Sequence, residues 1–298
     1  MRHPNPDVLL RIAQADAYAL AVEFVGPEHV DLVDRALQVD RFRANPRYDY
    51  PAARYSDDTQ MSIAVAEVVI TGDLDTPAFA DAFVRCYRRD PRNAYSKGMR
   101  DLLDASPTGA ALLAQARQRP GSNRNGAAMR SVPIGVLSDP QLVVEVARLQ
   151  ARVTHDTPGG VMSAQAVALA SHFALHREEP LSEVIPWVAD QLGFRPETMW
   201  WGGERVAGQN LGASTAAAVL TLCAEQPTLL DVLRTTLRWG GDTDTVAATA
   251  WGIASARMRE PVPDFLEADL EPGSPYGVVF LRRLGADLMG CVAARGSA

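Results

Sequence analysis

Apolar residues recur along this chain with a helical period almost throughout. Val8, Leu9, Ile12, Ala13, Ala17 and Leu20 fall on one face and predict a helix over 8–23, interrupted in character by Asp16 and Glu23. A second helix is predicted over 56–70, where Met61, Ile63, Ala64, Val65, Val68 and Val69 make it apolar nearly all round and hence central. Thr76-Pro77 offers an N-cap and a proline at the first helical position, and Phe79, Phe83, Cys86 and Tyr87 continue that helix to about Arg89. The same reading predicts helices over 109–119, 127–137, 139–153, 157–176, 181–192, 212–224, 227–237, 243–258 and 278–294. Residues 95–98 and 120–126 read as loops, the second rich in residues that tolerate unusual backbone angles. The segment 24–54 is polar and aromatic, with a short helical stretch near 30–37, and has the character of a lid. No clean alternating strand, heptad array or domain linker is present, so an all-α bundle formed by a single domain over 1–298 is expected.

Composition narrows the setting. With 47% hydrophobic and 22% charged residues over 298 positions, the chain can bury a sizeable core and fold by itself. A net charge of -7 disfavours stable nucleic-acid binding, which depends on cations displacing counterions from the phosphate backbone. Cys86, Cys223 and Cys291 are odd in number and widely spaced, which suggests neither a disulfide framework nor a thiolate metal site. The N-terminus lacks the basic-then-apolar pattern of a signal peptide, and no run is long enough to span a membrane. A soluble, cytoplasmic monomer is expected.

The chemistry concentrates in two blocks far apart in sequence. Ser56-Asp57-Asp58-Thr59 and Gly240-Gly241-Asp242-Thr243-Asp244-Thr245 each place carboxylates and hydroxyls directly before an apolar helical run. A lone Ser-Asp-Asp at a helix start is ordinarily a cap. Two such clusters at the starts of buried helices, however, repel each other unless a cation lies between them. The donors are all oxygen, which points to Mg²⁺ or Mn²⁺, disfavours zinc, and lacks the spacing of an EF-hand calcium loop. Asp16 and Glu23 are two helical turns apart. They form either a solvated acidic stripe or an extension of this centre, with Glu23 as a ligand and Asp16 as its orienter. His155-Asp156-Thr157-Pro158 reads as a capped helix start with a surface histidine, or as part of a site. Asn125-Gly126 reads as an ordinary turn, or as backbone amides that meet a diphosphate.

Taken in order, these blocks resemble the ADP-ribosylglycohydrolase family, over about Leu10 to Ala256. The family pattern Gly-Asp-Ala-x-Gly plus a glutamate, Thr-Asp-Asp-Thr, Asn-Gly-x-x-Met-Arg, Thr-His and Gly-Gly-Asp-Thr-Asp-Thr is matched by five stretches. They are Ala15 to Ala19 with Glu23, Ser56 to Thr59, Asn125 to Arg130, Thr154-His155, and Gly240 to Thr245. Two departures are visible: the family glycines are Ala15 and Ala19 here, and the first threonine is Ser56, which keeps the hydroxyl.

The resemblance implies an all-α orthogonal bundle around a dinuclear centre of two Mg²⁺ (or Mn²⁺) ions. Ser56, Asp57, Asp58, Asp242, Asp244 and Thr245 would be ligands, Asp244 the bridging carboxylate, and Glu23 a further ligand on a mobile flap. Gly98 and the loop with Ser122, Asn123, Asn125 and Gly126 would hold the diphosphate, with His155 nearby. The implied activity is cleavage of the glycosidic bond between ADP-ribose and an acceptor on a protein, a nucleic-acid base or a small molecule. Glu23 and Asp58 are the candidate bases. Two alternatives stand beside it: a metal-dependent phosphohydrolase built on His155-Asp156, and a non-catalytic ADP-ribose binder.

Overall fold

In the computed structural model, which describes residues 1–199 and 211–293, the described residues form fifteen α-helices joined by short turns and no β-sheet. Helix α1 (Val8–Ala19) is followed by α2 (Val30–Ala36), α3 (Asp57–Thr71), α4 (Thr76–Arg89), α5 (Lys97–Asp104) and α6 (Gly109–Ala116). Then come α7 (Gly126–Met129), α8 (Pro140–Ala151), α9 (Pro158–His176) and α10 (Val184–Leu192). The last are α11 (Gly212–Glu225), α12 (Leu229–Trp239), α13 (Thr243–Ala254), α14 (Phe265–Ala268) and α15 (Val278–Ala293). None of them is long and apolar enough to cross a membrane.

The bundle is organised on α1 and α13. All 12 residues of α13 are buried, as is every residue of α1 except Arg11, because both are runs of small and aliphatic side chains with no polar face. The other helices wrap this pair: α3 and α15 on one side, α9, α11 and α12 on the other. Close approach depends on Gly252, where an added Cβ would stand 2.7 Å from Ile12 Cγ1. Gly252→Ala should therefore destabilise the fold by about 1–3 kcal/mol through overpacking, read as a lowered denaturant midpoint with an unchanged m-value.

Helix starts are set by short polar side chains. Ser56, Asp75, Ser96, Thr108, Asp139, Thr157 and Thr228 each accept a hydrogen bond from an amide in the first turn of the helix they precede. The cap of α4 is Asp75 rather than Thr76, whose hydroxyl instead donates to the Leu149 carbonyl at 3.0 Å. The predicted helix over 8–23 ends at Ala19, with a 3-10 turn over Leu20–Val22, and the segment 127–137 divides into α7 and a 3-10 turn over Val132–Val136. Helix α5 replaces the loop expected around Gly98, and position 294 of the last predicted helix lies outside the described residues.

Candidate metal centre and substrate cavity

The first carboxylate cluster is built at the start of α3. Ser56 Oγ accepts from the Asp58 amide at 3.1 Å and donates to Asp58 Oδ2 at 3.0 Å. From α1, the Asp16 carboxylate accepts from the Ser56 amide at 3.0 Å, the Thr59 amide at 3.1 Å and the Thr59 hydroxyl at 2.5 Å. Asp16 thus satisfies the orphan amides of α3 and opposes the positive end of its dipole, which ties the two central helices together at this point. The approach to α3 is clamped as well. The buried Glu271 accepts from the Tyr55 amide at 3.0 Å and from Arg92 Nη1 at 2.7 Å, and Arg92 also donates to the Tyr55 carbonyl at 2.7 Å.

The second cluster opens α13. Gly240 and Gly241 lie at φ 67° and 83°, where a side chain would be strained, so this junction of α12 and α13 requires glycine at both positions. Asp242 occupies the cap position of α13 yet makes no capping bond; its carboxylate turns away and accepts from Asn125 Nδ2 at 2.9 Å. Thr243 Oγ1 anchors α13 to the Ala19 carbonyl at 2.8 Å, and Thr245 lines the cavity together with Asp58. Glu23 arrives from a third direction. The chain leaves the helical path after Val22, and Phe24, at φ 49°, donates its amide to the Gly241 carbonyl at 2.8 Å. The buried Asn45 holds the same turn by donating to the Leu20 and Glu23 carbonyls at 2.7 and 3.0 Å. Glu23 is thus on a tethered turn, not on the helix face shared with Asp16.

These elements bring two overlapping sets of carboxylates together. Oxygens of Asp16, Asp58 and Asp244 lie within 4.8 Å of one another, as do those of Glu23, Asp242 and Asp244, so Asp244 belongs to both sets. Burial, followed by mutual repulsion, holds Asp58, Asp244 and Glu23 well above the ordinary carboxylate range. Burial and the neighbouring Asp16 push Asp57 up to about 8, and burial pushes Asp16 to about 6 against its hydrogen bonds. Asp58 Oδ1 and Asp244 Oδ1 are buried without a hydrogen-bond partner among the described residues. Orphaned, crowded carboxylate oxygens with no cationic side chain between them fit a hard divalent cation.

Next to the cluster is a cavity of about 1520 Å³. Asp57, Asp58, Asp242 and Asp244 line its acidic end, while Arg100, Arg117, Arg119 and Arg124 also line it. It has room for a nucleotide-sized ligand. The sequence model of the ADP-ribosylglycohydrolase family matches residues 8–284, which take in every element of this site. The chain belongs to the ADP-ribosylglycohydrolase family. It is 28% identical over 271 residues to the ADP-ribosylhydrolase ARH3 of Bos taurus, covering 73% of this chain and 74% of that protein. To ARH3 of Homo sapiens it is 28% identical over 274 residues (74% and 75% covered), and to ARH3 of Gallus gallus 32% identical over 271 residues (73% and 74% covered). The solved structure of an ADP-ribosylglycohydrolase-related protein complex has the same fold, with a TM-score of 0.71 at 21% identity, covering 96% of this chain and 97% of that one. Family membership brings hydrolysis of ADP-ribosyl linkages as the activity of the chain.

Within this glycohydrolase site the remaining sequence-derived candidates separate. Gly98 lines the cavity from the first turn of α5, Ser122 from the loop before α7, and Gly126 from the start of α7 itself. Asn123 is exposed and not part of the lining; its backbone carbonyl accepts from Gly212 at 2.8 Å. The Asn125 side chain faces Asp242 and the Thr215 hydroxyl, an orienting position that its turn-forming sequence context does not reveal. Removing that amide in Asn125→Ala should weaken Mn²⁺ binding about 10- to 100-fold in calorimetric titration, the usual effect of losing a ligand's supporting hydrogen bond. The His-Asp arrangement does not assemble: Asp156 pairs with Arg152 at 3.2 Å, while His172 and His176 stack on each other and bond the Leu137 and Val136 carbonyls. The methyls of Ala15 and Ala19 are fully buried. Arg92, Glu271, Asn45 and Tyr48 were not legible as site residues, because each acts through a contact with a segment distant in sequence.

Proposed function

We propose that the chain is a Mg²⁺- or Mn²⁺-dependent hydrolase that cleaves the bond between the anomeric carbon of an ADP-ribosyl group and an N- or O-linked acceptor. The observation that carries this reading is Asp244, shared by two carboxylate sets and left with a buried, unpartnered oxygen. Ser56, Asp57, Asp58, Asp242, Asp244, Thr245 and Glu23 would hold two ions, with Asp244 between them and Asp16 orienting the start of α3. Such ions supply Lewis acidity and a template for the ribose hydroxyls and the attacking water.

The chain's own residues do the rest. Glu23 and Asp58 are the two carboxylates placed to take a proton from that water. Of these, Asp58 is engaged by the Ser56 hydroxyl at 3.0 Å, and both it and Glu23 line the cavity. Burial and neighbouring carboxylates raise the pKa of both, and because Asp58 is already engaged by Ser56, Glu23 is the base we favour. The remaining carboxylates stabilise the positive charge that develops at the anomeric carbon as the glycosidic bond breaks. Asn125 holds Asp242 in place, and the segment 24–54 contributes Tyr48 and Tyr50 to one wall as a cover over the site.

The test is a panel of ADP-ribosylated arginine, serine, nucleic-acid and ester substrates, assayed for released ADP-ribose with Mg²⁺ and with Mn²⁺. Metal-dependent release from at least one is expected. Tight ADP-ribose binding with no cleavage of any acceptor would leave a binding protein instead.

A further inference from the structure

The cavity wall around His155 carries a chain of hydrogen bonds whose directions can be assigned one after another. It starts at the Ala127 carbonyl, which can only accept. Gln150 Nε2 donates to it at 2.9 Å, and to Ser131 Oγ at 2.8 Å. The Gln150 amide is thereby oriented, and its Oε1 accepts from Arg130 Nε at 2.6 Å. A flipped amide would set an NH₂ against a guanidinium and an oxygen against a carbonyl, and Gln150, Ser131 and Arg130 are all buried beyond the reach of compensating water. A guanidinium has no acceptor, so where Arg130 Nη2 meets Thr154 Oγ1 at 3.0 Å the threonine oxygen accepts.

Thr154 Oγ1 has one other polar contact among the described residues, His155 Nδ1 at 2.8 Å. If Nδ1 carried the proton, the threonine oxygen would accept twice and its own hydrogen would have no protein acceptor among the described residues, only the cavity that Thr154 lines. The satisfied arrangement has the threonine O–H donating to an unprotonated Nδ1. Burial and the nearby Arg130 charge hold the imidazole far below its ordinary pKa, at about 3, so the ring is neutral at physiological pH. A neutral ring with a bare Nδ1 carries its hydrogen on Nε2. That nitrogen has no protein partner among the described residues. It lies beside the start of α7, where an added Cβ at Gly126 would stand 3.1 Å from it, on a residue that lines the cavity.

We propose that Arg130 and Thr154 are positioning residues that hold His155 as the Nε2–H tautomer, so that the cavity presents a neutral donor to an oxygen of the bound ligand. The ligand half of this statement rests on the function proposed above; the tautomer half stands on the hydrogen bonds alone. Long-range ¹H–¹⁵N correlation spectra of the ¹⁵N-histidine-labelled protein separate the two. The Nε2–H pattern is expected for His155 in the wild type, and an Nδ1–H or imidazolium pattern at neutral pH would overturn the assignment. In Thr154→Val, which keeps the shape and removes the hydroxyl, the pattern should become a mixture of tautomers, and Thr154→Ser should restore it. An unchanged Nε2–H pattern in Thr154→Val would remove Thr154 and Arg130 from the role. Titration with ADP-ribose should shift the His155 Nε2 resonance, and Thr154→Val should bind it about tenfold more weakly, the scale of one lost hydrogen bond. Saturating ADP-ribose with no shift at Nε2 would refute the ligand half. Failure of every substrate in the panel above would refute the proposed activity while leaving the tautomer result in place.

Discussion

Asp244→Asn should abolish high-affinity Mn²⁺ binding and lower kcat/KM by about 10³-fold or more, equivalent to the several kcal/mol a catalytic cation contributes. The substitution changes almost no volume, so the effect isolates charge. Asp244 is the carboxylate common to the Asp16–Asp58 and Glu23–Asp242 sets, and one of its oxygens has no partner among the described residues. Loss of its charge therefore weakens both halves of the centre at once. In the metal-free protein the same variant should be more stable than wild type, because repulsion from Glu23, Asp242 and Asp58 is relieved where burial has already disfavoured the charge. Asp57→Ala should also lose activity with the fold intact, as circular dichroism would show. Full Mg²⁺-dependent turnover by either variant would sink the metal centre.

Raising the pH should destabilise the metal-free protein. Asp57 has a folded-state pKa of about 8 and Asp16 of about 6, both above the unfolded value of 3.8. A group whose folded pKa is raised binds its proton more tightly in the native state. Its contribution is fully present below pH 3.8 and is lost as pH climbs through 6 and then 8. Over that window the melting temperature of the chelator-treated protein should fall by on the order of 10 °C, the scale of several kcal/mol in a domain of this size. Saturating Mg²⁺ should flatten the decline, since a bound cation replaces the protons and favours the ionised carboxylates. Metal affinity should rise over the same interval. A melting temperature of the metal-free protein that stays level or rises from pH 4 to 8 would show that these carboxylates do not crowd one another.

The helical architecture was written in the chain because its signals are local. Apolar periodicity specified α1, α3, α9 and α13, and the caps of α3 and α9 followed from Ser56 and Thr157. Two short elements, α5 and α14, escaped. Helix α5 is eight residues long and mostly exposed, and α14 is four, so neither offers enough periodic positions to stand out from a loop. The one-residue error at the start of α4 has a tertiary cause, since Thr76 spends its hydroxyl on α8 and leaves the cap to Asp75.

For the site, the donor chemistry was determined by the sequence alone: two blocks of carboxylates and hydroxyls, no cysteine or histidine within them, and hence a hard cation. Their order along the chain already resembled one family. Only the tertiary structure decided which carboxylates meet. Asp16 and Glu23 looked like one helix face, yet the helix ends between them, and the Glu23 turn is placed by Gly241 and Asn45. Asp242 stands at the cap position of α13, yet its carboxylate is held by Asn125, 117 positions away in sequence. The physical reason is that a periodicity reports which face of an element is buried, whereas a metal site depends on where the ends of different helices converge. That convergence comes from long-range contacts such as Asp16 on the α3 amides and Asn125 on Asp242, which leave no trace in local spacing.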